Sequence, residues 1–295
     1  NLLVCDDCST SITEKQIYSY LEQYITRVPF KFIRNESNQG SNNTFERLTQ
    51  YAAIDCYRQI KESYFAYCDQ DDIWECNKIT TLINSARVKN AVLVYSDMSI
   101  INNKGEFVSE SITKVRKRFR YYEGYNIWKR ILVRNFISGC CMIVRSDIAK
   151  AAIPFVSEMQ HDRWISIIAS IYGYIAFVDK PLVRYRQHEK NQTGVLKDII
   201  DKESYIKIRI KDHLRMLENI KGIKDISKEM AQFLSEYVEQ MEIRCKYAEG
   251  EHRQLLKMLS YLKYNKATIL FEIIAMRLPE KAFKKALDII KSRNL

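Results

Sequence analysis

The chain has 295 residues, of which 46% are hydrophobic and 28% are charged, and its formal net charge is +11. With only eight glycines and four prolines, this composition excludes a low-complexity chain or a long flexible linker. The basic charge suits a polyanionic substrate, an anionic membrane or simply a solvated surface. No nucleic-acid-binding signature accompanies it, so we expect no nucleic-acid partner.

The first 95 residues alternate between strand and helix patterns. The apolar runs that predict strands lie at residues 2–5, 30–34, 64–68 and 91–95. The segments with helical spacing of apolar residues lie at 12–25, 45–60 and 73–89. This alternation predicts an α/β domain with a mainly parallel sheet and helices on both faces. Farther along, residues 161–171 predict an amphipathic helix and residues 175–178 a last strand.

After Gly194 the sequence predicts helices only. We therefore place a boundary near 192–200, between a domain at 1–195 and a helical extension at 196–295. The last helix is basic and amphipathic, which fits peripheral attachment to the anionic inner face of the plasma membrane. A helical cap that packs on the rest of the protein is the alternative interpretation.

Carboxylates follow three of the predicted strands. They are Asp6 and Asp7 after the first strand, Asp69, Asp71 and Asp72 after the third, and Asp97 after the fourth. Ligands of open α/β sheets bind at the carboxyl ends of the strands, and paired carboxylates there suit a divalent cation with a phosphorylated ligand. The alternatives are a surface turn at Asp6-Asp7 and an N-cap at Asp72.

Eight cysteines are present, and two of them form a Cys5-x-x-Cys8 pair. Such a pair is found in redox and zinc sites, but a second pair with zinc spacing is missing. The two intervening carboxylates also disfavour a reactive thiolate. We expect the cysteines to be reduced and mostly buried, in a cytoplasmic protein.

Six sequence elements then occur in an order that resembles one enzyme family, the family 2 glycosyltransferases with the GT-A fold, in particular bacterial rhamnosyltransferase-like members. The elements are Asp6-Asp7-Cys8-Ser9, Asn38-Gln39-Gly40 with Asn43, Cys68 through Trp74, Ser138-Gly139-Cys140, His161-Asp162-Arg163-Trp164, and Tyr185-Arg186-Gln187-His188. Each is a weak signal alone, but six in the right order are strong, and the match covers about residues 2–194.

The resemblance implies metal-dependent, inverting transfer of a sugar, from dTDP-rhamnose or a UDP-hexose to a cell-surface polysaccharide or a lipid-linked acceptor, with Mg²⁺ or Mn²⁺ as the cofactor. It implies Asp162 as the general base. The implied metal ligands are Asp71, Asp69 and His188. The implied nucleotide-binding residues are Asp6, Asp7, Ser9, Asn38, Gly40, Asn43 and Asp69. The implied acceptor or diphosphate contacts are Gly139, Cys140, His161, Arg163, Trp164 and Arg186.

Two features depart from the family pattern. The family's usual first strand is not in the sequence, which starts in the strand at 2–5, so we expect that strand to precede it. Cys8 stands where the family commonly has Gly, so the turn must avoid a positive φ or accept strain.

Two other functions stay open. A catalytically inactive nucleotide-sugar-binding module would also contain these elements. A metal-dependent phosphotransferase or nuclease would use the same carboxylates, but it has no place for the last two elements. At the residue level, Asp162 is also interpretable as an N-cap, Trp164 as a core residue and His188 as a structural hydrogen-bonding group.

Overall fold

The computed structural model describes residues 1–55, 63–116, 119–188, 198–223 and 226–292. The strands are β1 (Leu2–Asp6), β2 (Phe30–Arg34), β3 (Tyr64–Ala66), β4 (Ile73–Trp74), β5 (Ala91–Ile101), β6 (Phe107–Ser109), β7 (Met142–Arg145) and β8 (Tyr174–Arg186). The helices of the first two-thirds are α1 (Glu14–Tyr24), α2 (Gly40–Asp55), α3 (Lys78–Lys89), α4 (Ile112–Val115), α5 (Trp128–Val133), α6 (Ser146–Ala151) and α7 (His161–Tyr172).

The last third of the described chain is helical. Its α-helices are α8 (Lys202–Ile206), α9 (Asp212–Lys221), α10 (Lys228–Ala248), α11 (Leu255–Ser260), α12 (Leu262–Ala275) and α13 (Glu280–Ser292). A π-helical segment, Lys207–Lys211, joins α8 to α9. The boundary predicted near 192–200 falls mostly outside the described residues and stays a prediction.

Six strands form one sheet in the order β3-β7-β5-β8-β4, with β6 paired to β5. The central strands β5 and β8 are parallel, whereas β7 runs antiparallel to both β3 and β5, and β4 runs antiparallel to β8. Strands β1 and β2 form a separate parallel pair. The α/β layering is as expected, but the sheet is mixed rather than mainly parallel. The reason is β7, which lies in an apolar run that was not predicted as a strand and pairs antiparallel with both β3 and β5.

Two helix and strand boundaries differ from the sequence predictions, and each changes the interpretation of a carboxylate. The helix predicted from residue 73 begins at Lys78 after its N-cap Asn77, since residues 73 and 74 pair with β8. The N-cap interpretation of Asp72 is therefore wrong. Strand β5 continues past Asp97, which is buried and accepts a hydrogen bond from the Tyr121 hydroxyl at 2.7 Å instead of ending a strand.

The N-terminal part and the C-terminal helices share one continuous hydrophobic core, which extends from Tyr67 to Phe283 and Leu287. The Trp128 ring packs edge-on against Phe233 with centroids 5.4 Å apart, and Lys129 pairs with Glu229 at 2.7 Å. Burial of large apolar side chains is the main stabilising contribution in such a core. The helices from α8 onward therefore pack as part of the same folded unit.

Helix α13 buries its apolar face in this core, because Phe283 and Leu287 are almost fully buried. Its lysines Lys281, Lys284 and Lys285 are exposed. This arrangement agrees with the cap interpretation, and it removes the apolar face that an interfacial membrane helix would insert. Among the described residues, no helix combines the length and apolar character needed to cross a bilayer.

The cysteines differ from expectation in their burial. Of the seven that the structure describes, only Cys140 and Cys141 are buried, so the prediction that most are buried was wrong. The eighth, Cys56, lies outside the described residues. At Cys8 the backbone adopts φ 61°, so the turn accepts the left-handed conformation that favours glycine.

Candidate active site

Two acidic side chains of the loop between β3 and β4 lie close to each other and to a cysteine that precedes β7. Ligand atoms of Asp69, Asp72 and Cys140 are all within 4.8 Å of one another. Burial first, and then the negative charges of Asp72, Asp71 and Asp162, raise the pKa of Asp69 to about 7. The sequence-predicted base Asp162 therefore lies near enough to the acidic loop for its charge to act on Asp69.

Arg186 at the end of β8 fixes this loop. Its backbone N–H donates to Asp72 Oδ1 at 2.9 Å, and its Nε donates to the Asp71 carbonyl at 2.8 Å. Its Nη1 also donates to the carbonyls of Asn102 and Asn103. In this structure Arg186 thus positions the acidic loop, and a phosphate contact by Arg186 stays a prediction.

His188 lies where the sequence predicts it, beside the acidic loop. Its Nε2 is 2.7 Å from Asp71 Oδ2, and both side chains are partly exposed. The predicted partners Asp71 and His188 are therefore together, while Asp69 groups with Asp72 and Cys140. The sequence analysis gave Asp72 no ligand role, although its place in the same acidic run was a signal for one.

The residues present fit a divalent cation. Asp72 Oδ2 is buried and has no hydrogen-bond partner among the described residues, which leaves an acceptor oxygen open. The pKa of the Cys140 thiol is raised, with the neighbouring thiol Cys141 and burial as the main causes, so the oxygen atoms are the available charged ligands. Clustered carboxylates are the ligands that Mg²⁺ and Mn²⁺ prefer, and a cation relieves their mutual repulsion.

A buried cation, Lys78, lies beneath the acidic loop. It is fully buried, its Nζ donates to the Cys140 carbonyl at 2.5 Å, and the same atom lies 3.2 Å from the centroid of the Trp74 ring. Burial lowers the pKa of Lys78 to about 8, and the charge of Asp72 acts in the opposite direction. Nothing in the local sequence around Lys78 indicated this role, because the contacts come from residues up to 62 positions away.

Asp162 is held firmly at the start of α7. Its Oδ1 accepts from Asn135 Nδ2 at 3.0 Å and from the Arg163 amide at 2.5 Å, and its Oδ2 accepts from the Gly139 amide at 3.1 Å. The helix N-cap is Gln160, so the N-cap interpretation of Asp162 is wrong. Burial raises the pKa of Asp162 to about 6 despite these hydrogen bonds.

Gly139 is required at this position because His161 leaves no room for a side chain. A Cβ at residue 139 would lie 2.6 Å from His161 Nε2 and 3.5 Å from the Asp162 Cβ. The His161 ring cannot easily move, since it packs against Phe45 and Tyr67 with centroids 4.2 and 5.2 Å away. His161 is thus a packing residue, and burial lowers its pKa to about 3.

Replacing Gly139 with Ala is expected to lower the free energy of unfolding by about 1–3 kcal/mol through overpacking. The same change should reduce activity, because the Gly139 amide that orients Asp162 would shift. Thermal unfolding and steady-state kinetics measure the two effects. Gly222→Ala is the matched control, since its added methyl group would meet only the Asn219 carbonyl, at 3.2 Å. Unchanged kinetics in Gly139→Ala would contradict the orienting role.

The other two residues of this element point into the protein. Trp164 is buried and its Nε1 donates to the Ala152 carbonyl at 2.6 Å. Arg163 donates from Nε and Nη2 to the carbonyls of Ile131 and Leu132, at 3.2 and 2.7 Å. The structure therefore places Trp164 in the core and holds the Arg163 guanidinium on two backbone carbonyls of α5.

The predicted nucleotide-binding residues form a second group, at the end of β1. Asp6 Oδ1 accepts hydrogen bonds from the Ser9 amide and hydroxyl, and Asp6 Oδ2 forms an ion pair with Arg34 at 2.5 Å. Asp7 accepts from the amides of Gln39 and Gly40, each at 2.8 Å, and from Asn35. Although desolvation acts to raise it, these hydrogen bonds hold the pKa of Asp7 below its usual value.

The loop before α2 completes this second group. Asn38 Nδ2 donates to the Asp7 carbonyl at 3.4 Å, Asn43 Nδ2 donates to the Gln39 carbonyl at 3.0 Å, and Gly40 has φ +78°. Helix α2 then continues from this loop to Phe45, which packs on His161. The two groups are therefore connected through α2, and contact of either with a nucleotide stays a prediction.

A cavity of about 500 Å³ opens beside Asp162. Its walls include Asn135, Ser138 and Asp162 from the N-terminal part, together with residues of α9, α10 and α12. Asp162 thus lines a space large enough for a sugar-sized ligand and is also close enough to the acidic loop for its charge to act on Asp69.

The sequence profile described as "Glycosyl transferase family 2" matches residues 1–151, which is about half of the chain. The chain belongs to glycosyltransferase family 2. Within curated proteins, this family 2 chain is 27% identical over 172 residues to the Escherichia coli UDP-Glc:alpha-D-GlcNAc-diphosphoundecaprenol beta-1,3-glucosyltransferase WfgD, covering 57% of each chain. It is 23% identical over 203 residues to the Shigella flexneri dTDP-rhamnosyl transferase RfbG, covering 66% of this chain and 65% of that protein.

The match therefore spans less than two thirds of the length of each curated relative. Among solved structures, a fragment of S. aureus TarS in complex with UDP-GlcNAc superposes with a TM-score of 0.55 at 14% identity, covering 99% of this chain and 80% of that one. At this identity the likeness shows the fold alone. It confirms the GT-A fold of this family 2 chain and extends over its C-terminal helices.

Two site residues of this family 2 chain had no sequence signal at all. Asn135 lies in a segment whose pattern is loose, and Lys78 lies in a predicted helix without a marker of burial. Both act through partners distant in sequence, Asp162 for Asn135 and Cys140 for Lys78. Only the tertiary contacts identify them.

Proposed function

We propose that the protein is a metal-dependent, inverting glycosyltransferase that moves a sugar from a nucleotide-sugar donor to an acceptor hydroxyl. The position of Asp162 is the observation that carries this proposal. It accepts from the Gly139 amide, next to Cys140 of the cluster with Asp69 and Asp72, and its side chain also lines the cavity. A general base in such a transfer must lie between the donor and the acceptor.

Asp162 accepts the proton of the acceptor hydroxyl as that oxygen attacks the sugar. A carboxyl group with a pKa of about 6 is mostly ionised at neutral pH and is more basic than an ordinary aspartate. Asn135 and the Gly139 amide keep it in a fixed orientation. Because the attack and the departure of the nucleotide occur in one displacement, the configuration at the anomeric carbon inverts.

The acidic loop provides the cation site. Asp69, Asp71 and Asp72 with His188 would hold Mg²⁺ or Mn²⁺, and the cation would neutralise charge on the departing nucleoside diphosphate. Arg186 fixes the loop through its hydrogen bond to the Asp71 carbonyl, and the positive charge of Lys78 offsets part of the negative charge of the loop. The end of β1, with Asp6 and Asp7, and the loop before α2 are then proposed to contact the nucleotide.

The donor is proposed to be dTDP-rhamnose or a UDP-hexose, since the names of the two curated relatives include one donor of each kind. The acceptor is proposed to be a saccharide of a cell-surface polysaccharide or a lipid-linked precursor, the latter as in the name of the E. coli relative. We therefore propose that the protein acts at the cytoplasmic face of the membrane. The exposed Lys281, Lys284 and Lys285 would then contact anionic lipid by charge alone.

The function is tested by incubating the protein with Mn²⁺ and, in turn, UDP-glucose, UDP-GlcNAc and dTDP-rhamnose. We expect one donor to be hydrolysed slowly without an acceptor and faster with one, and NMR of the product should show inversion. Titration calorimetry measures donor binding in parallel. Binding without hydrolysis or transfer would support the alternative function, a nucleotide-sugar-binding module. Absence of both binding and turnover with every donor would contradict both functions.

A further inference from the structure

Lys78 buries a positive charge at a cost that packing alone does not explain. Its side chain is 0% exposed, and its Nζ contacts the Cys140 carbonyl at 2.5 Å and the Trp74 ring, whose centroid is 3.2 Å away. Among the described residues, no carboxylate forms an ion pair with Lys78. Burial of one charge costs on the order of several kcal/mol, and an apolar side chain of similar size would fill the same space at less cost. A lysine at this position therefore indicates a function.

The first contact, with Trp74, fixes Lys78 relative to the acidic loop. Trp74 lies two residues after Asp72 and pairs with Val183 of β8. The Lys78 amide donates to the Glu75 carbonyl at 3.0 Å, so one hydrogen-bonded turn joins β4 to the start of α3. The ammonium group and the acidic loop are therefore parts of the same local framework.

The second contact, with the Cys140 carbonyl, connects Lys78 to Asp162. Residues Gly139–Cys141 form a single 3₁₀ turn, which a backbone hydrogen bond of 2.9 Å closes. In the same turn the Gly139 amide donates to Asp162 Oδ2 at 3.1 Å. Because the Cys140 carbonyl and the Gly139 amide belong to one turn, displacement of the carbonyl would also displace the amide that orients Asp162.

We propose that Lys78 is a positioning residue for sugar transfer: it holds the Cys140 carbonyl and, through the Gly139 amide, keeps the Asp162 carboxylate in a fixed place relative to the acidic loop. It acts through the 3₁₀ turn and takes no part in the chemical step. The inference rests on the proposed function, because it assigns Asp162 as the base. A displacement of about 1 Å in such a group can lower a rate about 10²-fold.

The Gly139 amide reports this connection without turnover. Ser138-Gly139 is the only Ser-Gly pair in the sequence, so carbonyl-¹³C serine and ¹⁵N glycine give a single signal in a carbonyl-selected amide NMR spectrum. Since the amide donates to Asp162, its proton shift should titrate with the Asp162 carboxyl, whose pKa is about 6. Asp69 and Arg163, the other charged groups that act with Asp162, are the same in all variants compared.

Lys78→Met should raise the midpoint of this titration by at least about half a pH unit, because the Gly139 hydrogen bond that favours the Asp162 carboxylate would weaken. The kcat should fall at least about tenfold, while the donor KM changes less than about twofold. Lys78→Arg keeps a charged donor and should restore the midpoint and part of the rate. Lys89→Met is the control, at a lysine of the same helix that pairs with Glu123 at 2.6 Å, and it should change neither quantity.

Thermal unfolding separates positioning from a merely structural role. If Lys78→Met lowered the Tm and the amount of active protein but left the Gly139 midpoint and the pH dependence of kcat unchanged, the inference would be overturned. An unchanged midpoint with an unchanged kcat would overturn it as well. If Lys78→Met does not fold, Lys78→Gln is the second neutral variant, because its shorter amide cannot hold the Cys140 carbonyl as Nζ does. We expect the same upward shift in it.

Failure of the proposed function gives a different result. If the unmodified protein turned over no donor, but Lys78→Met still raised the Gly139 midpoint, the proposed function would be contradicted. The same result would support the connection from Lys78 to Asp162.

Discussion

Replacing Asp162 with Asn is expected to reduce the rate of sugar transfer by at least about 10²-fold and to leave the donor affinity nearly unchanged. An amide cannot accept the proton of the acceptor hydroxyl, so the chemical step loses its base. The donor affinity should persist, because the acidic loop and the end of β1 keep their contacts. Steady-state kinetics and donor titration calorimetry measure the two quantities.

The substitution also has a structural effect that must be measured separately. Asn135, the Gly139 amide and the Arg163 amide all donate to the Asp162 carboxylate, and an amide nitrogen would face one of these donors. Thermal unfolding therefore accompanies the kinetics. Asp147→Asn, at an exposed carboxylate that pairs with Arg145, is the control for loss of one negative charge. A rate in Asp162→Asn equal to that of the unmodified protein would refute the base assignment.

The dependence of the rate on pH gives an independent test of the same residue. With a pKa of about 6, Asp162 is protonated below that pH, so the rate should fall about tenfold for each pH unit below 6 and level off above it. The residual rate of Asp162→Asn should not show this fall in rate below pH 6. The raised pKa also means that the folded state binds more protons than the unfolded state between about pH 4 and 6, so this group's contribution to stability falls as pH rises through that range.

Removing the divalent cation is expected to abolish activity, and Asp71→Ala is expected to reduce the rate at least about 10²-fold. Without the cation, the charge that develops on the nucleoside diphosphate has no counter-charge in the acidic loop. Asp71→Ala also removes the carboxylate oxygen that lies 2.7 Å from His188 Nε2. Activity is measured after treatment with EDTA and after return of Mn²⁺ or Mg²⁺.

Direct cation binding keeps this prediction independent of catalysis. Electron paramagnetic resonance of Mn²⁺ should show an affinity at least tenfold lower in Asp71→Ala, while Glu75→Gln, whose carboxylate pairs with Arg184 outside the cluster, should bind as before. Lower pH should weaken Mn²⁺ binding, since a carboxyl with a pKa of about 7 such as Asp69 must lose its proton to bind a cation. Full activity in metal-free protein would refute the role of the acidic loop in catalysis.

The features that depend only on residues adjacent in the chain could be identified from the sequence. The run Asp69-Gln70-Asp71-Asp72, the pair His161-Asp162 and the element Tyr185 to His188 were identifiable because each is contiguous. Their order along the chain was sufficient to resemble family 2 and to predict the GT-A fold. The helices after residue 200 followed from apolar spacing, which is also a local property.

The way these pieces face one another depends on long-range packing that the sequence pattern did not reveal. The antiparallel entry of β7 depends on pairing with strands far away in sequence, which no local pattern encodes. For the same reason the sequence did not indicate the roles of Lys78 and Asn135, nor that two backbone carbonyls of α5 hold the Arg163 guanidinium. The cavity beside Asp162 exists because α9, α10 and α12 pack there, and such packing depends on three-dimensional shape and long-range contacts rather than on any segment alone.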